Sequence, residues 1–97
     1  MPRAVAVVVT DNPDRYAKQL LSHVGRKNGT EPLDGVPAGG RIVFPDGVGT
    51  IRPEEGRLVL EADAPDPAGL AHVTDVLGRH LERFGARTEL AVTWDPA

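Results

Sequence analysis

His23, His72 and His80 are the only imidazoles of a 97-residue chain that has no cysteine. Proton transfer near neutrality, or a metal held by nitrogen, would therefore draw on these three side chains with carboxylate partners. His80 sits about 60 degrees around a helix from Leu77, on the edge of an apolar stripe, at roughly 100 degrees per residue. His23 holds the corresponding flank of an earlier helix, in line with Gln19 and Lys27. If those helices lie side by side, His23 and His80 face a shared groove with Tyr16, Gln19, Lys27 and Arg83 at its rim. Such a rim suits a small acidic ligand. The same residues would also serve as a hydrogen-bonded seam between two helices, and His80 as a core imidazole satisfied by main chain or carboxylate. A rival reading makes His23 or His80 a general acid or base, which requires solvent access and a real pocket. No H-E-x-x-H or comparable spacing is present, so neither a metal nor another cofactor is expected. His72 is expected on the outer, solvated side of its helix.

The densest run of distinctive side chains is Gly78 to Asp95, which holds His80, Arg83, Phe84, Glu89 and the single tryptophan, Trp94. Trp94 falls on the inward parity of an alternating segment, which makes it a core anchor before a stacking platform. Arg83 and Glu89 flank Gly85, and a turn there would let them clasp the helix end to the chain that follows.

Composition narrows the function classes. The net charge is −3, and acidic residues outnumber basic ones by fourteen to eleven. Nucleic acid and anionic membrane both require a basic surface, so neither is an expected partner. Arginine exceeds lysine nine to two; beside the high Gly, Pro, Val and Asp usage, this reflects a GC-rich genome. Without cysteine there is no disulfide and no thiol nucleophile. The N-terminal run Ala4 to Val9 is too short for a membrane span or a signal peptide, and the chain reads as cytoplasmic.

The elements that must position these groups follow in order, as one domain over residues 1–97. Residues 3–10 are apolar on both parities, which argues for a central strand. Asn12-Pro13 and Asp66-Pro67 each pair a capping side chain with proline at the first helical position. The first helix carries the stripe Tyr16, Ala17, Leu20, Leu21, Val24. The second carries Leu70, Val73, Leu77, Leu81, Phe84 and ends at Gly85 in a left-handed cap. Residues 26–40 are rich in Gly, Pro, Asn and Asp and read as a loop, mobile over about 28–40. Ile42 to Phe44, Val48 to Arg52 and Arg57 to Asp63 form a meander through the turns at Pro45-Asp46-Gly47 and Pro53 to Gly56. Leu90, Val92 and Trp94 alternate with Glu89, Ala91 and Thr93 as a last strand. The expected fold is α+β: a two-layer sandwich in the order βαβββαβ, with both helices on one face of a mixed, mostly antiparallel five-stranded sheet. The other face, carrying Val8, Val43, Val59 and Ala91 among Arg57, Glu61, Glu89 and Thr93, has no helix to cover it. A homodimer through that face is expected, and a purely structural dimeric subunit that acts only through this interface is a further alternative.

The frame Pro13, Arg15, Tyr16, Gln19, Leu20, His23, the run His80-Leu81-Glu82-Arg83-Phe84 and the ending Glu89-Leu90, Val92, Trp94 together resemble the bacterial domain of unknown function 2218 family. The resemblance covers nearly the whole chain. It implies the same fold boundaries and, through the occurrence of such members near siderophore-utilisation proteins in actinobacteria, an accessory role in iron handling or a siderophore-related protein as partner. It implies no established activity. Where the family pattern has a further histidine before the lysine, this chain has Arg26, which weakens an iron site built from several imidazoles. The leading expectation is a small non-enzymatic module that binds a small acidic ligand or a protein partner.

Overall fold

The structure is a computed structural model that describes residues 2–97. β1 (Arg3–Val9), α1 (Pro13–His23), β2 (Gly29–Leu33), β3 (Val36–Phe44), β4 (Gly47–Glu54), β5 (Arg57–Asp63), α2 (Pro67–Phe84) and β6 (Asp95–Pro96) follow in that order, with a 3-10 turn at Ala86–Thr88. The strands form one sheet in the order β2-β3-β4-β5-β1-β6. Every neighbouring pair is antiparallel. The α+β class and the placement of two helices against a largely antiparallel sheet are as expected, while several details differ.

The segment read as a loop over 28–40 is β2 and most of β3, joined through Asp34-Gly35, where Gly35 takes a φ of 75°. An Asp-Gly pair between Leu33 and Val36 is the signal of a two-residue hairpin, because the turn that matches strand twist needs positive φ. The sheet therefore has six strands.

The expected last strand over 89–94 pairs with no other strand. Only Asp95 and Pro96 pair, against Val5 and Ala4. β1 is thus next to the edge of the sheet and open along most of one side, not central.

The end of α2 also differs. Gly85 has φ −98°, and the left-handed residue is Glu89 at φ 57°. Glycine is required at position 85 for space, since a Cβ there would overlap the side chain of Leu90.

α1 and α2 bury their stripes on the face formed by Ala4, Ala6, Val8, Ile42, Phe44, Ile51, Leu58, Leu60 and Ala62. Val8 therefore points into the core, and the uncovered face carries Val5, Val7 and Val9 instead; Ala91 lies outside the sheet altogether. Glycines make room for the helices. A Cβ at Gly40 would crowd Leu21 of α1, and one at Gly49 would crowd Leu77 of α2, so both helices approach the β3-β4 backbone closely. Asp66 caps α2 as its spacing predicts, accepting the Gly69 N–H at 2.7 Å. Asn12 makes no side-chain cap to α1; its own N–H donates to Thr10 Oγ1 at 3.1 Å. On the uncovered face Arg3 pairs with Asp63 at 2.6 Å and with Glu61 at 3.2 Å, while Arg52 also reaches Glu61. Partly exposed pairs of this kind contribute little each and chiefly fix side-chain positions.

Candidate functional site

α2 presents His72, Val76 and His80 at intervals of four, so the three share one helix face. That face meets the C-terminal end of α1 and the end of β3. The result is an open groove of about 400 Å³ lined by His23, Val24, Lys27, Asn28, Phe44, His72, Val76 and His80. Val24 and Phe44 are buried core residues and give the groove an apolar base, while His23, Lys27 and His72 are exposed to solvent.

Each imidazole has a distinct setting. His80 Nδ1 lies 2.8 Å from the main-chain oxygen of Val76, which places the proton on Nδ1 and leaves Nε2 as the nitrogen not committed to that bond. His72 Nδ1 lies 3.0 Å from Asp46 in the β3-β4 turn, an exposed pair that orients the ring. The His23 ring lies 5.1 Å from Phe84 at an interplanar angle of 49°, and His80 approaches the same Phe84 edgewise at 6.3 Å. Phe84, at the end of the α2 stripe, thus contacts both flanking imidazoles. His72 meets Phe44 edge-on at 6.0 Å. Asn28 closes the end of α1 by donating from its side chain to the Val24 oxygen at 2.9 Å.

Of the six residues that the spacing singles out, the structure brings His23, Lys27 and His80 together. Arg83 lies on the far side of His80, in a smaller recess of about 150 Å³ with Asp75, Val76 and Arg79. Tyr16 is buried in the core beneath α1 and lines none of this groove. Gln19 is half-buried, and its Oε1 is sealed from solvent without a hydrogen-bond partner among the described residues. His72 is exposed, as expected from its place on the outer side of α2, and it nevertheless lines the same groove as the other two histidines. Its spacing from Val76 and His80 was visible in the sequence; the place of Phe44 and Asp46 beside it depends on the meander.

Arg83 forms no clasp with Glu89. Instead Glu82 accepts the main-chain N–H of Val92 at 2.9 Å, and the Trp94 indole lies against Gly78. Trp94 packs beside α2 at the margin of the core, half-buried, with Leu90 and Val92.

Chemically the groove offers one ammonium and three imidazoles over an apolar base, a set able to hold an anionic group or to donate and accept protons. Among the described residues no group of three or more His, Asp or Glu side chains is arranged to hold a metal ion. No helix among them is long and apolar enough to cross a membrane.

No curated protein matches the chain. A solved structure similar to it is the NMR structure of PA4090 from Pseudomonas aeruginosa, 30% identical, with all of this chain and 98% of that one covered at a TM-score of 0.80. That agreement spans the elements which build the groove, from α1 to the end of α2. The family model described as "Uncharacterized protein conserved in bacteria (DUF2218)" matches residues 5–95, and the chain belongs to that family.

Proposed function

We propose that the protein is a non-enzymatic binding module whose groove between α1 and α2 takes a small acidic ligand. The observation that carries this reading is the convergence of His23, Lys27, His72 and His80 on one solvent-open groove, at whose margin the Asp46 carboxylate is taken up by His72. In a chain with net charge −3, the Lys27 ammonium beside three imidazoles is where an anion would concentrate. Phe44, Val24 and Val76 would cover the apolar body of the ligand, while the Lys27 ammonium donates to its carboxylate or phosphate and His80 Nε2, an acceptor with the proton on Nδ1, takes a ligand hydroxyl or acid proton. His80 and His72 are held in place through Nδ1, so the site is oriented before binding, which lowers the entropy lost on association. An accessory part in iron utilisation is compatible with such a site if the ligand is a carboxylate-rich chelator.

The test is a titration of isotope-labelled protein with citrate and, separately, with inorganic phosphate, followed through the amide and imidazole resonances. Saturable shifts at His23, Lys27, His72 and His80 are expected, with affinity reduced about tenfold in Lys27→Ala by loss of one charge-assisted contact. If neither anion shifts these resonances at millimolar concentration, the groove is not an anion site.

A further inference from the structure

The two edges of the sheet are protected very differently. β2, at one edge, carries Glu31 and Pro32 and a register shift at Pro32/Leu33, features that discourage pairing with another strand. At the other edge β6 covers only Ala4 and Val5 of β1. In β1 the even-numbered residues turn their main-chain groups toward β5. Accordingly the Thr10 N–H donates to Gly56 at 3.1 Å, and the Pro2 oxygen accepts from Ala64 at 3.2 Å. The odd-numbered residues turn theirs the other way, as Arg3 does in accepting from Ala97 at 3.1 Å. Val7 and Val9 therefore present N–H and C=O groups to the open edge, beyond the reach of β6. Among the described residues no main-chain partner meets them there. The two residues are 55% and 79% exposed, and the open run Ala6 to Val9 contains no charge, no proline and no glycine.

We propose that this open edge pairs antiparallel with the same edge of a second copy, about a two-fold axis at Val8. That register sets Val7 opposite the partner's Val9, and Val9 opposite the partner's Val7. Both are pairs whose residues exchange two main-chain hydrogen bonds. The valine side chains then pack across the junction on the uncovered face. A second copy fits better than a foreign peptide. Strand addition by a foreign segment draws its selectivity from side-chain pockets or charges along the edge. Here the edge is a uniform run of small apolar residues whose best complement is itself, and a two-fold arrangement satisfies both copies at once. Asp95 beside Val5 stops the pairing from extending further and so fixes its register. The junction is short, and the dimer should be of the weak, concentration-dependent kind.

The experiment combines sedimentation with amide exchange over a range from micromolar to millimolar protein. Expected are a rise in mass toward the dimer and, over the same range, an increase of about tenfold or more in protection of the Val7 and Val9 amides. Val7→Lys and Val9→Lys, at exposed positions, should abolish both effects while exchange in the β4-β5 ladder stays as in the wild type. Val43→Lys, on the same face but away from the edge, should leave both in place. The proposal fails if the protein stays monomeric with fast-exchanging Val7 and Val9 at every concentration. It fails equally if a dimer survives Val7→Lys, or is dissolved by Val43→Lys.

Discussion

Glu82 on the outer side of α2 accepts the N–H of Val92 at 2.9 Å, a bond between residues ten apart that ties the C-terminal segment to the helix layer. Residues 89–94 alternate as a strand should, and a continuation of β6 along β1 would set Thr93 opposite Val7. The chain instead lies beside α2, where Leu90, Val92 and Trp94 reach the margin of the core. Glu82→Ala removes the acceptor and should lower stability by about 1 kcal/mol, since the bond is charge-assisted but solvent-exposed. The amides of residues 90–94 should lose exchange protection while the β4-β5 ladder keeps its own. Equal loss in both regions would show that the segment is not separately anchored.

Two glycines of this corner should respond in opposite senses. A methyl group at Gly85 would overlap several atoms of Leu90, whose own main chain is fixed by donation to the Gly85 oxygen at 3.1 Å. Gly85→Ala should therefore destabilise by about 1–3 kcal/mol, as overpacking does. At Gly78, inside α2, a methyl group would come to 3.3 Å from the Trp94 indole nitrogen. Trp94 is half-buried and can give way, so the helix-forming advantage of alanine, about 1 kcal/mol, should prevail. Chemical denaturation checks both signs, and a change in tryptophan emission should accompany Gly78→Ala alone.

The parts of the fold that follow a single local rule were legible in the sequence. Asp66-Pro67 placed the start of α2, the stripe from Leu70 to Phe84 gave its buried face, and Pro45-Asp46-Gly47 gave the β3-β4 turn. β2 was hidden because its residues are nearly all exposed and Pro32 interrupts it; only the Asp34-Gly35 pair marked the hairpin. The reading of 89–94 as a strand failed for another reason. Alternation records which residues face the core and does not say whether a sheet edge or a helix flank receives them. In the same way His23 and His80 could be paired from helix periodicity, whereas the burial of Tyr16 and the displacement of Arg83 depend on how α1 and α2 sit over the sheet.

Leu77, fully buried, sits over Gly49 of β4, where a Cβ would crowd it. Leu77→Ala should destabilise by about 2–5 kcal/mol through the lost burial and the cavity left behind. A compensating Gly49→Ala can fill part of that cavity, so the double variant should be more stable than the sum of the single ones predicts. Because Leu77 lies one turn from both Val73 and Leu81 on the stripe, the loss should appear as a lower midpoint of global unfolding. Local fraying at the groove would signal a different cause.

Gln19 separates a structural reading of the α1 flank from a functional one. Its Oε1 is sealed from solvent with no hydrogen-bond partner among the described residues, and such a group costs about 1–3 kcal/mol when nothing compensates it. Gln19 precedes His23 by one helical turn, yet it does not line the groove formed by His23, Lys27 and His80. If its amide is only an unpaired group in the helix seam, Gln19→Met keeps the length of the side chain, removes the penalty and should raise the melting temperature by several degrees. Citrate and phosphate should then shift the His23 and His80 resonances as in the wild type. A lowered melting temperature would show that the amide has a partner, such as an ordered water, and a loss of the anion-induced shifts would return Gln19 to the site.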